Sequence, residues 1–570
     1  MASKRVAVIA DPHFHDVYFG RSRAQEAPEF VRTLADTLAS TRVFNESELA
    51  FRSVLDEIAA RGIRLVVLAG DLTDDGQRAN WRAVDALLQE YAQRYGMRFF
   101  ATPGNHDQFA EDGCHLAKRF ANADGSFDLV ASNAATSKHA RQNVVLEDMY
   151  CVGYADALDR NVSLGYFRTP GDVHWESPFG FDDALAGRWY EIAAGSDMPP
   201  LRITDASYLV EPVEGLWVLS LDANVYVAEA GVVSADRSGE GWNAVLASRP
   251  YLLDWVKDVA DRARRLGKQL LTFSHYPIVD VVNGTHEPAF RFDHQEGGKK
   301  REMPNPEVMR AFAGAGIGAH FSGHWHVNNT GCFHEDGDFL VNVAVPSPVG
   351  FPGGFKVVTL TDGQLHIETV PLGALPLPPA IGARYQAERG TADDGDIPVH
   401  SYKEFLAFHL SKRVRGKYLS RDWPEGFAIL AAEFSLADVH QFANVPAALD
   451  YADLARSVNR EPLAANLPDL SFEAVLIDFH RLIMAGDPVL AGVGPERLAA
   501  YAALAAAYEN GDWPAGSVQS DLAKFAGMMQ RTLESAPAMN FVIDTAAKTV
   551  RATPIAAAPS AARQVEPQTP

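Results

Sequence analysis

The sequence predicts an α/β fold followed by an all-helical C-terminal region. Two observations carry that reading. Over roughly the first 370 residues, short β-branched apolar runs alternate with stretches of helical spacing, the pattern of a mostly parallel sheet with covered faces. A proline-rich stretch at 371–398 then ends the strand-like runs, and 399–552 is almost all helical pattern.

Residues 5–10 (RVAVIA) are the first expected strand, ending at Asp11. Over 46–60, Leu49, Phe51, Val54, Leu55 and Ile58 recur at helical spacing, with Asn45 as the expected N-cap. Residues 64–69 (RLVVLA) give a second strand, closed by Gly70 and Asp71. A helix over 77–94 leads to a third strand over 97–101, which ends at Pro103-Gly104-Asn105-His106-Asp107. Residues 108–205 are rich in Gly, Asn, Asp and aromatics and read as an insertion over the sheet, with a strand-like piece at 149–154. A strand over 216–222, an amphipathic helix over 251–266 and a strand over 269–274 follow, the last leading to His275. Residues 317–322 lead to Gly323-His324-Trp325-His326; strands at 339–345, 356–361 and 366–370 close this unit, which spans 1–372. Residues 373–398 read as a linker, 399–552 as a helical domain and 553–570 as a disordered tail. Within the helical domain, Phe405, Leu406, Phe408 and Leu410 open one helix, and helices over 471–485 and 495–509 follow, the latter with proline in its first turn and Gly511 beyond its end.

Hydrophobic residues make up 47% of the 570 and charged residues 22%, which excludes a collagen, a disordered chain or a coiled-coil rod. Fifty-one basic against 73 acidic residues give a formal charge of −22, which argues against non-specific nucleic-acid or anionic-membrane binding. The three cysteines, Cys114, Cys151 and Cys332, are too few and scattered for a disulfide framework. With no secretory signal in view and no apolar run near the roughly 18 residues of a membrane span, a cytoplasmic protein with mostly buried thiols is expected.

Five motifs sit where strands end: Asp11-Pro12-His13, Gly70-Asp71, Gly104-Asn105-His106-Asp107, His275, and Gly323-His324-Trp325-His326. In an open α/β sheet, ligands bind beyond the carboxyl ends of the strands, so one sheet could converge all five on one cleft. Asp11, His13, Asp71, Asn105, His275, His324 and His326 offer oxygen and imidazole donors of the kind divalent ions take. Alternate spacing in Asp11/His13 and His324/His326 puts both members of each pair on one side of an extended segment. The glycines before Asp71, Asn105 and His324 let the backbone turn sharply there. Gly-rich coenzyme loops in a strand–helix context and a nucleophilic serine elbow are absent, so no organic cofactor is expected.

These motifs resemble those of the calcineurin-like metallophosphoesterase superfamily, D-x-H, GD, GNH[DE], H and GHxH, over roughly residues 4–370. Residues 70–76 (GDLTDDG) and 274–277 (SHYP) are similar to its bacterial cyclic-nucleotide phosphodiesterase-like branch. The resemblance implies a four-layer αββα sandwich bearing two divalent ions, with Mn, Fe or Zn favoured. It implies that Asp11, His13 and His326 hold one ion, that Asn105, His275 and His324 hold the other, and that Asp71 bridges them. His106 would act on the substrate as the catalytic acid, with Asp107 orienting it. Two ions about 3.5–4 Å apart clamp a phosphoryl group and lower the pKa of bound water toward roughly 7, so hydroxide attacks phosphorus in line without a protein nucleophile. The subfamily likeness implies a phosphodiesterase acting on a small-molecule phosphoester. A phosphomonoesterase of the same fold and a non-catalytic scaffold are the alternatives.

Several features stay open. His15 could face the same cleft or lie in a surface loop, and Asp222-Ala223-Asn224 could support the ligands or cap a strand. His286, His294 and His320 are not expected as ligands. The basic loop at 297–301 could grip an anion or be solvated. Tyr166, Phe167, Trp175 and Phe179 could stack on a flat group or pack within the insertion. The tyrosine/leucine stripe of 498–508 could pack internally or form a homo-oligomer contact.

Overall fold

A computed structural model describes residues 4–19, 28–136, 143–290, 292, 303–361, 363–390, 397–452, 454 and 467–553. Its core is two seven-stranded sheets. In the first, the strand order is Thr549–Ala552, Asn540–Asp544, Gln364–Pro371, Gly354–Thr361, Lys4–Ile9, Leu65–Leu68 and Arg98–Ala101. In the second it is Thr330–Glu335, Asp338–Ala344, Ala319–Ser322, Gln269–Ser274, Leu216–Leu221, Tyr208–Val213 and His174–Glu176. Lys4–Ile9 runs parallel to Leu65–Leu68, with Val6 opposite Leu65, and Leu65–Leu68 runs parallel to Arg98–Ala101. The crossovers are the helices Ser47–Ala60 and Arg78–Tyr95, as the alternating sequence pattern predicts.

The two sheets share one buried cluster, in which Val6, Val8, Val66 and Phe99 of the first meet Val218, Leu271, Phe273 and Val343 of the second. Phe51, Val54, Leu55 and Ile58 seal the first crossover helix onto it. Pro250–Leu266 and Pro306–Ala315 cover the far face of the second sheet, packing Val256, Val259 and Phe312 against Trp217 and Leu219. The result is four layers, αββα. Burying each such side chain contributes about 1.5–3 kcal/mol, which is why continuous apolar runs such as Leu216–Leu221 settle in the middle.

The structure departs from the sequence reading in four places. Asn45 does not cap a helix. It bonds both backbone groups of Arg32 and the Tyr385 hydroxyl, while Ser47–Ala60 starts without a side-chain cap. The insertion is not wholly separate, because His174–Glu176 joins the second sheet as an edge strand beside Tyr208–Val213. Within its 149–154 piece, Cys151 bridges Gln77 and Cys114 as extended chain, between a 3₁₀ turn ending at Met149 and the helix Tyr154–Leu158. The linker expected over 373–398 contains the helix Pro379–Arg389, anchored by buried Leu377, Ile381 and Tyr385. Finally, Asn540–Asp544 and Thr549–Ala552 are strands, because Phe541 and Ile543 are buried in the sandwich core beside Ile367 and Leu365.

The helical region has its own core around Phe405, Phe427, Phe472, Phe479 and Phe525. The stripe of Pro495–Tyr508 packs inside the chain: Tyr501, Leu504 and Tyr508 are buried, and Tyr501 donates to Asp478 Oδ2 at 2.8 Å. The tail beyond Thr553, the loop at 297–301 and His294 lie outside the described residues. Among the described residues no helix is long and apolar enough to cross a membrane.

Candidate metal centre

Five strands, Lys4–Ile9, Leu65–Leu68, Arg98–Ala101, Gln269–Ser274 and Ala319–Ser322, deliver their motifs to one place. The first two motifs are laced together: Asp11 N donates to Gly70 O at 3.1 Å and His13 N to Asp71 O at 2.9 Å. The extended segments expected for Asp11/His13 and His324/His326 are not what brings these side chains together. Asp11 (φ 52°), His13 (φ 41°), Asp71 (φ 52°), His324 (φ 69°) and His326 (φ 55°) all take left-handed backbone. That conformation costs a non-glycine residue of order 1–3 kcal/mol and persists where the surroundings fix it. Gly70 (φ 86°) supplies the expected turn, whereas the glycines before Asn105 and His324 serve as space. A Cβ on Gly104 would strike the Asp71 carboxylate, and one on Gly323 the Asp11 carboxylate.

The seven donors form one cluster. His13 Nε2 and His326 Nε2 are 3.0 Å apart, with Asp11 Oδ1 at 3.5 Å from His326 Nε2. Asp71 Oδ2 lies 3.5 Å from His13 Nε2 and 3.3 Å from His275 Nε2. Asn105 Oδ1 lies 3.0 Å from His275 Nε2 and 3.2 Å from His324 Nδ1. Asp11, Asp71, His13, His275 and His326 are buried; Asn105 and His324 are half-buried.

The chemistry of this set fits cations. His275 Nδ1 donates to Ala69 O at 3.0 Å, which leaves Nε2 facing the Asn105 and Asp71 oxygens. Acceptors turned on one another in a buried pocket call for positive charge between them. Burial, with Arg42 next, lowers His13 well below the usual imidazole range, and burial does the same to His324, leaving both rings neutral as ligands must be. Burial opposes charge on Asp71, yet His275, whose ring Asp71 in turn pushes up to about 9 against its own burial, holds that carboxyl well below the usual range.

The structure brings His106 to this cluster: its backbone N donates to Asp71 Oδ1 at 2.8 Å and its ring meets that of His13 edge-on at 5.2 Å. Asp107 does not orient it. The Asp107 carboxylate accepts from Gly104 N at 2.9 Å and Thr73 N at 3.0 Å, tying two ligand turns together. Burial, with Asp71 beside it, pushes the Asp107 carboxyl up to about 7. The partner of His106 Nδ1 is Asp75, which also receives Lys118 Nζ. Next to it, Arg42 Nη2 bonds Asp74 Oδ1 at 2.6 Å and Arg32 Nη1 bonds Asp74 Oδ2 at 3.0 Å. Burial and the Arg42 guanidinium lower His106 from its ordinary value. Asp75 sits in the GDLTDDG run, four positions beyond Asp71; nothing local to Arg42 or Lys118 marks them.

The remaining candidates are structural. His15 is buried under Phe120, its Nε2 2.7 Å from Phe30 O, and burial pushes it down to about 4. Asn224 donates to Pro103 O and Gly104 O at 3.3 Å, supporting the turn before Asn105, while Asp222 accepts from Tyr154, Ala206 and Asn224. His320 is held between Ser274 Oγ and Asn342 Oδ1, and His286 faces Asp280. Tyr166 and Trp175 are core residues, Phe167 packs against that core, and Phe179 leans on Tyr251.

Layers of this kind gather buried carboxylates and imidazoles at the strand ends, a donor set suited to divalent cations. The chain belongs to the calcineurin-like phosphoesterase family, whose model matches residues 4–328. Membership implies two divalent ions and a phosphoester substrate. No curated protein matches the chain. Among solved structures it is similar to a dimetal phosphatase from Danio rerio, at 12% identity and a TM-score of 0.32, over 64% of this chain and 95% of that one. It is also similar to GAP50, the anchor in the inner membrane complex of Plasmodium, at 10% identity and a TM-score of 0.27, over 72% and 95% of the two chains.

Proposed function

We propose that this chain is a cytoplasmic phosphodiesterase that hydrolyses a small-molecule phosphodiester at a dinuclear centre. Asp11, His13 and His326 hold one ion, Asn105, His275 and His324 the other, and Asp71 bridges them. The observation that carries this reading is the single oxygen Asp71 Oδ2, set 3.5 Å from one imidazole group and 3.3 Å from the other. His and carboxylate donors without cysteine suit Mn, Fe or Zn. Bound ions supply Lewis-acid stabilisation of the attacking and leaving oxygens and activation of water.

The protein supplies the proton and the shape. Asp75 accepts the hydrogen bond of His106 Nδ1–H, so Nε2 is the nitrogen left to exchange a proton with the leaving oxygen. Lys118 and Arg42 pin Asp75 and Asp74 beneath it. Beside His106, Arg32 and Arg42 pair with Asp74 and Lys118 pairs with Asp75. The likeness of 70–76 and 274–277 to the cyclic-nucleotide branch supports the diester over the monoester.

The test is turnover by chelator-stripped protein reloaded with Mn, Zn or Fe, on bis-(p-nitrophenyl) phosphate and p-nitrophenyl phosphate side by side. Metal-dependent cleavage preferring the diester is expected. Preference for the monoester overturns the substrate assignment, and no activity on either with no metal retained overturns the enzyme.

A further inference from the structure

We propose that the C-terminal helical region is a positioning element of the metal centre, gripping the segments that carry His326, Asp11 and Arg42. The proposal rests on the dinuclear reading above. Its strongest contact is Asn328, two residues beyond His326 and fully buried. Asn328 N donates to Met484 O at 2.8 Å and its Nδ2 donates to Ala485 O at 2.9 Å. These are terminal carbonyls of the helix Phe472–Ala485, which have no partner within their own helix. The Asn328 Oδ1 meanwhile accepts from Lys356 Nζ at 2.5 Å and Thr369 Oγ1 at 3.2 Å, both on sandwich strands. One side chain thus joins the ligand loop, the first sheet and the helical region.

Two further grips are independent of it. Asp11 O accepts from Ser347 Oγ at 2.7 Å, and the adjoining Pro348 O accepts from the Tyr402 hydroxyl at 2.8 Å. The segment bearing Arg42 is held at both ends: Thr37 O lies 2.9 Å from His409 Nε2, and Glu46 Oε1 accepts from the Tyr385 hydroxyl at 3.0 Å. Near its start, Glu388 accepts from Leu34 N at 2.6 Å and Ala35 N at 3.0 Å. Five of the seven donors sit on left-handed backbone that needs outside support. Groups behind a ligand set its orientation, and losing one typically costs 10–100-fold in metal affinity.

The test is Asn328→Asp in the full chain. It keeps an oxygen for Lys356 and Thr369 and removes the donor to Ala485. Co2+ is titrated into chelator-stripped protein while its visible absorption is followed. The wild type is expected to take up two ions; Asn328→Asp is expected to bind one of them about tenfold more weakly, with a shifted absorption band. Tyr402→Phe, which removes only the hydroxyl bonded to Pro348, is the companion variant should Asn328→Asp fail to fold, with a weaker change in the same direction. Two-ion binding within twofold of wild type and an unchanged band in the variants overturn the proposal alone. A wild-type chain that takes up no Co2+ overturns the dinuclear reading and this proposal with it.

Discussion

On the metal side of the site every donor lies within four residues of a strand end; on the His106 side the ring is flanked by groups from far along the chain. Asp75 is 31 positions from His106, Arg42 is 64, and Lys118 is 43 from Asp75. The ligand side is specified by local backbone: strand, tight turn, donor. The proton side is assembled by tertiary packing, in which the segment 28–46 is clamped over it by the helices Pro379–Arg389 and Tyr402–Arg413. A short motif can therefore encode where a cation goes, whereas the environment of His106 is encoded by the whole fold.

Substitutions on the two sides should fail differently. Asp71→Asn is expected to have the largest effect, a loss of turnover of about 10³-fold or more together with loss of bound metal, measured by kcat and elemental analysis. Retained turnover would break the metal side of the comparison. His106→Asn should lower kcat by about 10²–10⁴-fold while both ions stay bound. Asp75→Asn should lower kcat by about 10-fold with KM nearly unchanged, because it acts through the His106 ring; an equal loss in Asp107→Asn would mean that the two acids have exchanged roles. Asp107→Asn should instead show in thermal denaturation, at about 1–3 kcal/mol, since an amide cannot accept from both Gly104 N and Thr73 N as the carboxylate does.

A further expected effect concerns Lys356, which lies behind the ligand loop. Burial pushes its ammonium down to about 7, from 10.5 in the open chain. Below pH 7 folded and unfolded chains both carry the proton, and the cost of burying the charge is fully present. Between pH 7 and 10.5 the unfolded chain binds more protons, so stability rises with pH by at most about 1.4 kcal/mol per unit. Lys356→Met should remove that rise. Denaturant melts of both chains at pH 7 and 9 check it, and parallel slopes would show that Lys356 does not titrate there.

Legibility followed the same division. The strands 4–9, 65–68, 98–101, 269–274 and 319–322, and the seven donors after them, are readable because apolar runs and turn residues are local signals. Adjacency in sequence points to Asp107 as the orienting acid but says nothing about direction; its carboxylate turns back toward Gly104. Arg42 and Lys118 carry no mark at all, being ordinary cations until Asp74 and Asp75 meet them. The strands 540–544 and 549–552 were hidden because their partner, Gln364–Pro371, is far away in sequence, and a short apolar run has no period that separates strand from helix.

That last hairpin bears on how the protein is made. It covers the edge of Gln364–Pro371, whose Leu365, Ile367 and Val370 are buried. A protein cut at 372, where the strand-rich sequence stops, would leave an eight-residue edge open to pairing with other chains. During synthesis the covering strands emerge 540 − 371 = 169 residues later, roughly ten to thirty seconds at ribosomal speeds. Through that interval the edge of Gln364–Pro371 lacks its covering strand and is open to pairing with other chains.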